Sequence, residues 1–438
     1  MVRLAILIIL TPIFVRSQEN SHLGDSSKGI FFQHQLTWKQ IRKKAREENK
    51  YIFLDCYASW CGPCKEMEKV IYPLDSVGKF INKYFISAKV QMDSAKSDDA
   101  VTRSWYSDAH QIMNEYRIWE YPTFIFLSPN GEIVHRGIGY QEPADFISLA
   151  AKALDPQKQF YTLLRAYQTG EKDFLAMPFL AVSAREVNEP NLALHIAADY
   201  LHNYLDRLSF AEICNEQNLK FISKFATVLT SKDKVFKCFY RHSKMADSAV
   251  HRPNFSNRMV NFIVIQEEIA PMVAKAKMNN FDPEWNKMSL NITHHFGAQY
   301  VERNILNAKV EWYKSIKDWK VYCTNLVKQT NLIDIQKISP GYLQAMALNN
   351  NAWDVFQYSD NREELESALI WSERAIAMLQ PKPGGSFLDT KANLLYKLGM
   401  TRDAIILQKR AVEVSPKAAD LGEDLQKMEH GEPTWPTR

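Results

Sequence analysis

Two cysteines placed where a strand gives way to a helix constrain this chain more than any other feature. Tyr51-Ile52-Phe53-Leu54-Asp55-Cys56-Tyr57 is an apolar run rich in aromatic and β-branched residues, the pattern of a buried strand. Trp60-Cys61-Gly62-Pro63-Cys64 follows almost at once, and from Lys65 to Ile71 apolar residues recur at helical spacing. The cysteines therefore straddle the first turn of a helix, where free backbone N–H groups and the helix dipole favour a negative sulfur. A thiolate is the reactive form of cysteine, and a dithiol at this spacing can close its own disulfide. Cys61, at the exposed start of the helix, is the expected nucleophile, and Cys64, one turn deeper, the resolving thiol. The competing reading, half of a zinc site, needs two further ligands, and the sequence has no second C-x-x-C.

Asp55 is an acid inside the apolar strand, a costly placement unless the group is useful or paired. Burial should raise its pKa toward the working range of a proton acceptor. Alternation along the strand turns the neighbouring Cys56 to the opposite face, where a buried, inert thiol is expected.

The run from Phe53 to Lys65 resembles the active-site segment of the thioredoxin family. Further matches follow in order: Ala88 to Asp93, Tyr121-Pro122-Thr123-Phe124, Asn130-Gly131-Glu132-Ile133 and Gly137-Ile138-Gly139. Together they cover roughly residues 30–155. The resemblance implies an α/β thioredoxin-like domain that exchanges dithiols and disulfides with protein substrates. Its only redox group would be the Cys61–Cys64 disulfide, with no metal or diffusible cofactor. It places Asp55 beneath the resolving cysteine and Lys89 opposite Asp55. It makes Pro122 a cis-proline facing the disulfide, with Trp60, Tyr121 and Gly139 on the rim where a substrate backbone lies. Tyr121 departs from the small or β-branched residue often found there, so substrate preference does not carry over. Gly62-Pro63 is the thioredoxin dipeptide and favours a reductase or isomerase over a strong oxidant, the direction depending on the redox partner.

Within residues 18–155 the expected elements alternate. Gly29 to Phe32 reads as a first strand, Thr37 to Lys50 as a basic helix capped by Thr37, and Phe85 to Met92 as a strand. Pro73 should end or bend the active-site helix, which restarts through Val77 to Ile81. Asp98 to Tyr116 reads as one long helix. Thr123 to Leu127 and Glu132 to His135 form a hairpin across Pro129-Asn130-Gly131, and Pro143 to Leu154 closes the domain.

The remainder is an all-α helical region without a trusted chemical motif between 156 and 340. From 341 to 420 it resembles tetratricopeptide hairpins, before a tail at 421–438. Ala368 and Ala375 are echoed 36 residues later by Ala404 and Ala411, and Pro381 is echoed 35 later by Pro416. Such a region suits a protein partner. An adaptor, with the redox domain serving for docking, is the rival to an enzyme. Intact Cys61, Cys64, Asp55 and Pro122 argue against it.

Composition bounds the rest. Of 438 residues 46% are apolar and 24% charged, so the chain can bury ample core. Net charge is +4, and Arg3 and Arg16 lie in the first seventeen residues, which hold no acid. Without them the balance is too near neutral to argue for nucleic acid. Leu4 to Val15 behind Arg3 reads as a signal peptide spanning 1–17, which places the protein in a periplasm or, as the alternative, outside the cell. A reductase there would need a membrane electron donor. In an oxidising compartment Cys214 and Cys238 are candidates for a bridge, although the sequence does not fix the pairing with Cys323 also present. Cys238 with His242 and His251 is a faint metal hint.

Overall fold

The computed structural model describes residues 28–436, so the expected signal peptide lies outside the described residues. The chain divides into two compact units, one running to Tyr200 and the other starting at Leu201.

The first unit is built on a four-stranded sheet of order β2-β1-β3-β4. Its elements are α1 (Trp38–Glu47), β1 (Tyr51–Tyr57), α2 (Gly62–Glu66), α3 (Asp75–Tyr84), β2 (Phe85–Gln91), α4 (Ala100–Ser104) and α5 (Tyr106–Glu115). There follow β3 (Thr123–Leu127), β4 (Ile133–Ile138), α6 (Pro143–Leu154), α7 (Phe160–Gln168), α8 (Met177–Glu186) and α9 (Pro190–Asn203). β1 runs parallel to β2 and antiparallel to β3, which pairs antiparallel with β4. Helices cover both faces, which is why β1 reads as a continuous apolar run rather than an alternating one.

The two faces divide β1 residue by residue. Ile52, Leu54 and Cys56 enter one core with Trp38 and Ile41 of α1 and Ile112 of α5. Phe53 enters the other with Met67, Ile71, Tyr72, Phe124, Phe126 and Phe146. Its ring stacks on Phe126 at 5.4 Å and meets Phe146 edge-on at 5.6 Å. Each such buried ring contributes about 1.5–3 kcal/mol. Asp55 shares the Phe53 face, because side chains two apart point the same way.

Several local expectations change. The proposed first strand is a single bridge between Phe32 and Ser87. Gly29, at φ +92°, turns the chain there, and its main chain sits so close to Gly78 of α3 that a Cβ on Gly78 would lie 2.2 Å from the Gly29 oxygen. The helix expected from Asp98 to Tyr116 is two helices that meet at Trp105. Asp99 caps the first of them, while the Asp98 carboxylate accepts from Gln91, Ala95 N–H and Tyr106 and stays outside the helix. The active-site helix does stop before Pro73. After Glu66 it widens into a π-turn, Met67–Ile71, which the Tyr72 N–H closes on the Met67 oxygen at 2.9 Å.

The compact unit runs beyond residue 155, where the sequence places its boundary. The Phe160 N–H donates to His135 Nδ1 at 3.1 Å, and the Arg165 guanidinium donates to the Ile133 oxygen at 3.1 Å. α7 thus closes the β4 side of the sheet. Burial, with the Lys152 charge adding to it, drives the His135 pKa down to about 3. The unfolded chain takes up a proton below about 6.5 and the folded one does not, so stability is lost as pH falls from about 6.5 toward 3. At pH 5 the loss is about 2 kcal/mol. Relative to the parent, His135→Gln should gain about this amount of stability between pH 7 and pH 5 in denaturant unfolding, the other titrating groups contributing equally to both. A parent-to-variant difference that does not change with pH would remove His135 from the pH response.

The second unit is helical. Cys214 and Cys238 are bridged, with Cα atoms 6.8 Å apart, and Cys323 is buried. Near its end Tyr342–Tyr358 packs on Arg362–Met378 and Gly385–Lys397 on Thr401–Val414. Ala368, Ala375, Ala404 and Ala411 are fully buried, small residues that let helices approach closely.

Candidate functional site

The site forms where β1 ends. Ser59 is pinned by Asp93, which accepts from its N–H at 2.8 Å and its hydroxyl at 2.6 Å. This fixes the approach to Cys61, the N-cap of α2, and Pro63 sits in the first turn, where a missing N–H costs nothing. Cys61 and Cys64 are joined by a disulfide with Cα atoms 5.3 Å apart. The Cys64 N–H donates to Cys61 Sγ at 3.1 Å, so the sulfur already receives the hydrogen bond that would stabilise it as a thiolate.

The expected exposure of Cys61 does not hold. It is 2% exposed and Cys64 is 6%. Ala58, Tyr57 and Tyr121 pack around the pair. Tyr121, the residue that departs from the family's usual small side chain, is therefore part of the cover over the sulfurs. Trp60 stands outside it, 71% exposed and edge-on to Tyr121 at 5.9 Å. The Tyr121–Pro122 peptide is cis. Gly139, at φ +80°, donates its N–H to the Pro122 oxygen at 2.8 Å, which brings it to the same rim.

Asp55 is 2% exposed, and burial pushes its carboxyl up to about 7, against the lowering influence of Lys89 and Tyr72. Lys89 is directly opposite Asp55 in the β1–β2 register. Its ammonium, however, is bound to Glu68 Oε1 at 2.6 Å and lies over the Tyr57 ring at 4.7 Å. The ammonium is thus paired with Glu68, an exposed acid on the π-turn, beside the buried Asp55. Cys56 lies on the other face, buried, its thiol pushed well above the usual range, as an inert cysteine should be.

Two neighbours of Asp55 were not singled out from the sequence: Glu68, and Tyr72, whose hydroxyl faces the Asp55 carboxyl. The signal was present in the spacing, since Cys64, Glu68 and Tyr72 follow one another at four-residue intervals. For metals, the described residues bring the ligand atoms of His202, Asp206 and Asp233 within 4.8 Å of one another, in the second unit. His202 Nδ1 stands 3.3 Å from Asp233 Oδ1, which a hydrogen bond accounts for. Cys238 is held in its disulfide, so the combination with His242 and His251 falls away.

A disulfide across the first turn of a helix, a cis-proline preceded by a tyrosine that packs against the pair, and a buried acid of raised pKa on the preceding strand fit a thiol–disulfide oxidoreductase site. Residues 38–154 match the family model described as a thioredoxin-like domain. The chain is 32% identical over 83 residues to Thioredoxin-1 of Drosophila melanogaster, a match covering 19% of this chain and 62% of that protein. It is 30% identical over 116 residues to Thioredoxin H2-1 of Oryza sativa subsp. japonica, covering 26% and 70%. Among solved structures, a disulphide-isomerase candidate from Bacteroides thetaiotaomicron is 26% identical, with 30% of this chain and 96% of that one covered and a TM-score of 0.25. The chain belongs to the thioredoxin family. Its α/β domain, followed by a long helical region, is of the protein-disulfide oxidoreductase type, and such domains work through a redox-active disulfide rather than a cofactor.

Proposed function

We propose that the protein is an exported thiol–disulfide oxidoreductase of reductase or isomerase type, acting on protein disulfides through Cys61-Gly62-Pro63-Cys64. The observation that carries this reading is the buried Cys61–Cys64 disulfide at the start of α2, with Asp55 held near a neutral pKa under the same helix. In the reduced form the Cys61 thiolate attacks a substrate disulfide, making a mixed disulfide and releasing one substrate thiolate. Asp55 takes the proton of Cys64, whose thiolate then attacks Cys61 Sγ and displaces the second substrate thiolate. The enzyme leaves the cycle oxidised and the substrate reduced, so a membrane electron donor must restore the dithiol if the cycle runs in this direction.

Export to a periplasm, with secretion as the alternative, is supported by the apolar run from Leu4 to Val15 and by the Cys214–Cys238 bridge, which suits an oxidising compartment. The helices from Tyr342 to Val414 are proposed as tetratricopeptide-like and partner-binding, which the buried alanines at a 36-residue offset support.

Two measurements test this. Purified protein should accelerate insulin reduction by dithiothreitol, and Cys64→Ser should accumulate mixed disulfides on Cys61 while Cys61→Ser accumulates none. A protein without reductase activity whose Cys64→Ser form traps nothing is an adaptor, and the enzymatic reading fails.

A further inference from the structure

Asp55 is surrounded by groups from several elements. Lys89 comes from β2, Glu68 and Tyr72 from the active-site helix and the residue that ends it, and Phe124 stands opposite on β3. Tyr57 and Cys56 are its titratable neighbours along β1, both kept neutral by burial. Lys89 and Glu68 are satisfied by each other. Tyr72 is not.

Its ring is 4% exposed and held between Phe32, edge-on at 5.4 Å, and Phe146 at 5.9 Å. The hydroxyl therefore cannot turn away to solvent. It faces the Asp55 carboxyl, yet in this oxidised form neither Tyr72 Oη nor Asp55 Oδ1 has a partner in hydrogen-bond geometry among the described residues. A buried hydroxyl left without a partner is costly, and phenylalanine would fill the same space among these aromatic rings without that cost. Burial also keeps the phenol protonated, well above its usual range, so it can serve only as a donor to an acceptor close by.

We propose that Tyr72 is a positioning residue for the resolving step, its hydroxyl donating to Asp55 once that carboxylate is ionised and so holding the base ready for the Cys64 proton. This rests on the oxidoreductase reading above. The interaction is charge-assisted and made only with the ionised acid. It opposes the burial that favours the neutral form. Lys89 contributes in the same direction from a distance, while Glu68 works against it.

The test is Tyr72→Phe, which keeps the ring packing and deletes the donor. Resolution of the mixed disulfide, followed by rapid mixing across pH, should lose about fivefold at pH 7, its acid limb moving up by about one pH unit. Parent and variant should converge at high pH, and in an Asp55→Asn background the substitution should have no effect on the rate. A packing role would instead lower the rate evenly at every pH. The second measurement needs no activity. The infrared band of the protonated Asp55 carboxyl, assigned by its loss in Asp55→Asn, should titrate at higher pH in Tyr72→Phe in the oxidised protein. An unmoved band and an unmoved acid limb overturn the proposal. A moved band in a protein that reduces nothing leaves Tyr72 coupled to Asp55 and rejects the enzymatic reading alone.

Discussion

Asp55→Asn is expected to make the protein more stable at pH 8, by about 4 kcal/mol, and at the same time to slow its chemistry. The sign follows from burial. The carboxyl ionises near 3.8 when unfolded and at about 7 when folded, so the folded state holds the extra proton between those values. Stability therefore falls as pH rises through that window, and above it the native protein carries a buried charge. Asparagine resembles the protonated acid and escapes this cost. The gap between variant and parent should accordingly close as pH drops toward 3.8. In catalysis the effect is confined to one step. Loss of a general base slows a proton transfer by about 10²-fold or more, so resolution suffers. Formation of the mixed disulfide does not, because Cys61 is activated by the helix terminus. Denaturant titrations at pH 5 and pH 8, with rapid-mixing kinetics of both steps, decide the matter. A variant less stable than the parent at pH 8 would make Asp55 a structural acid satisfied in the fold.

A fragment ending at Asp155 should fail to fold stably, although it contains Cys61, Cys64, Asp55 and Pro122. It leaves the buried His135 ring nitrogen without its Phe160 donor and uncovers the side of β4 that α7 closes. Removing a fully buried phenylalanine alone costs about 3–5 kcal/mol, a large part of the stability of a domain this size. A fragment ending at Tyr200 keeps α7, α8 and most of α9 and should fold and reduce insulin like the whole protein. Circular dichroism melts and insulin turnover per mole compare the two. If the shorter fragment is as stable and active as the longer, the helices after 155 are not part of the redox domain.

What the sequence revealed here and what it hid follow from the range of the interactions involved. The strand, the C-x-x-C and the helix after it are local patterns, and they lie where periodicity places them. The opposite facing of Asp55 and Cys56 needs only strand alternation, and it appears as separate cores. Cys61 was expected to be exposed because a helix start usually is, but Tyr121, sixty residues away, packs over it. Lys89 stands opposite Asp55 in the strand register, while Glu68 on another element, which the sequence does not single out, takes its ammonium. The compact unit runs on past 155 for a similar reason. The amphipathic pattern of α7 resembles that of the helices beyond it, and nothing local says that it docks on β4. Trp105 divides what reads as one helix, and Asp98, whose carboxylate accepts from Gln91, Ala95 and Tyr106, stays ahead of the first half.

The π-turn after α2 bears on how this site can change. Met67–Ile71 contains one residue more than a regular α-turn would need. Deleting a single residue there would restore ordinary geometry and spare a wide, weaker turn. It would also rotate everything downstream by about 100°. Tyr72 would leave the carboxyl it faces, and the Tyr72 oxygen would no longer meet the Ile30 N–H that fastens the N-terminal segment at 2.8 Å. Chains that lose the extra residue must therefore rebuild the acid's surroundings and the anchoring of their N-terminal segment together. Length variation within five residues of one helix is thus tied to both the proton chemistry and the outer edge of the domain.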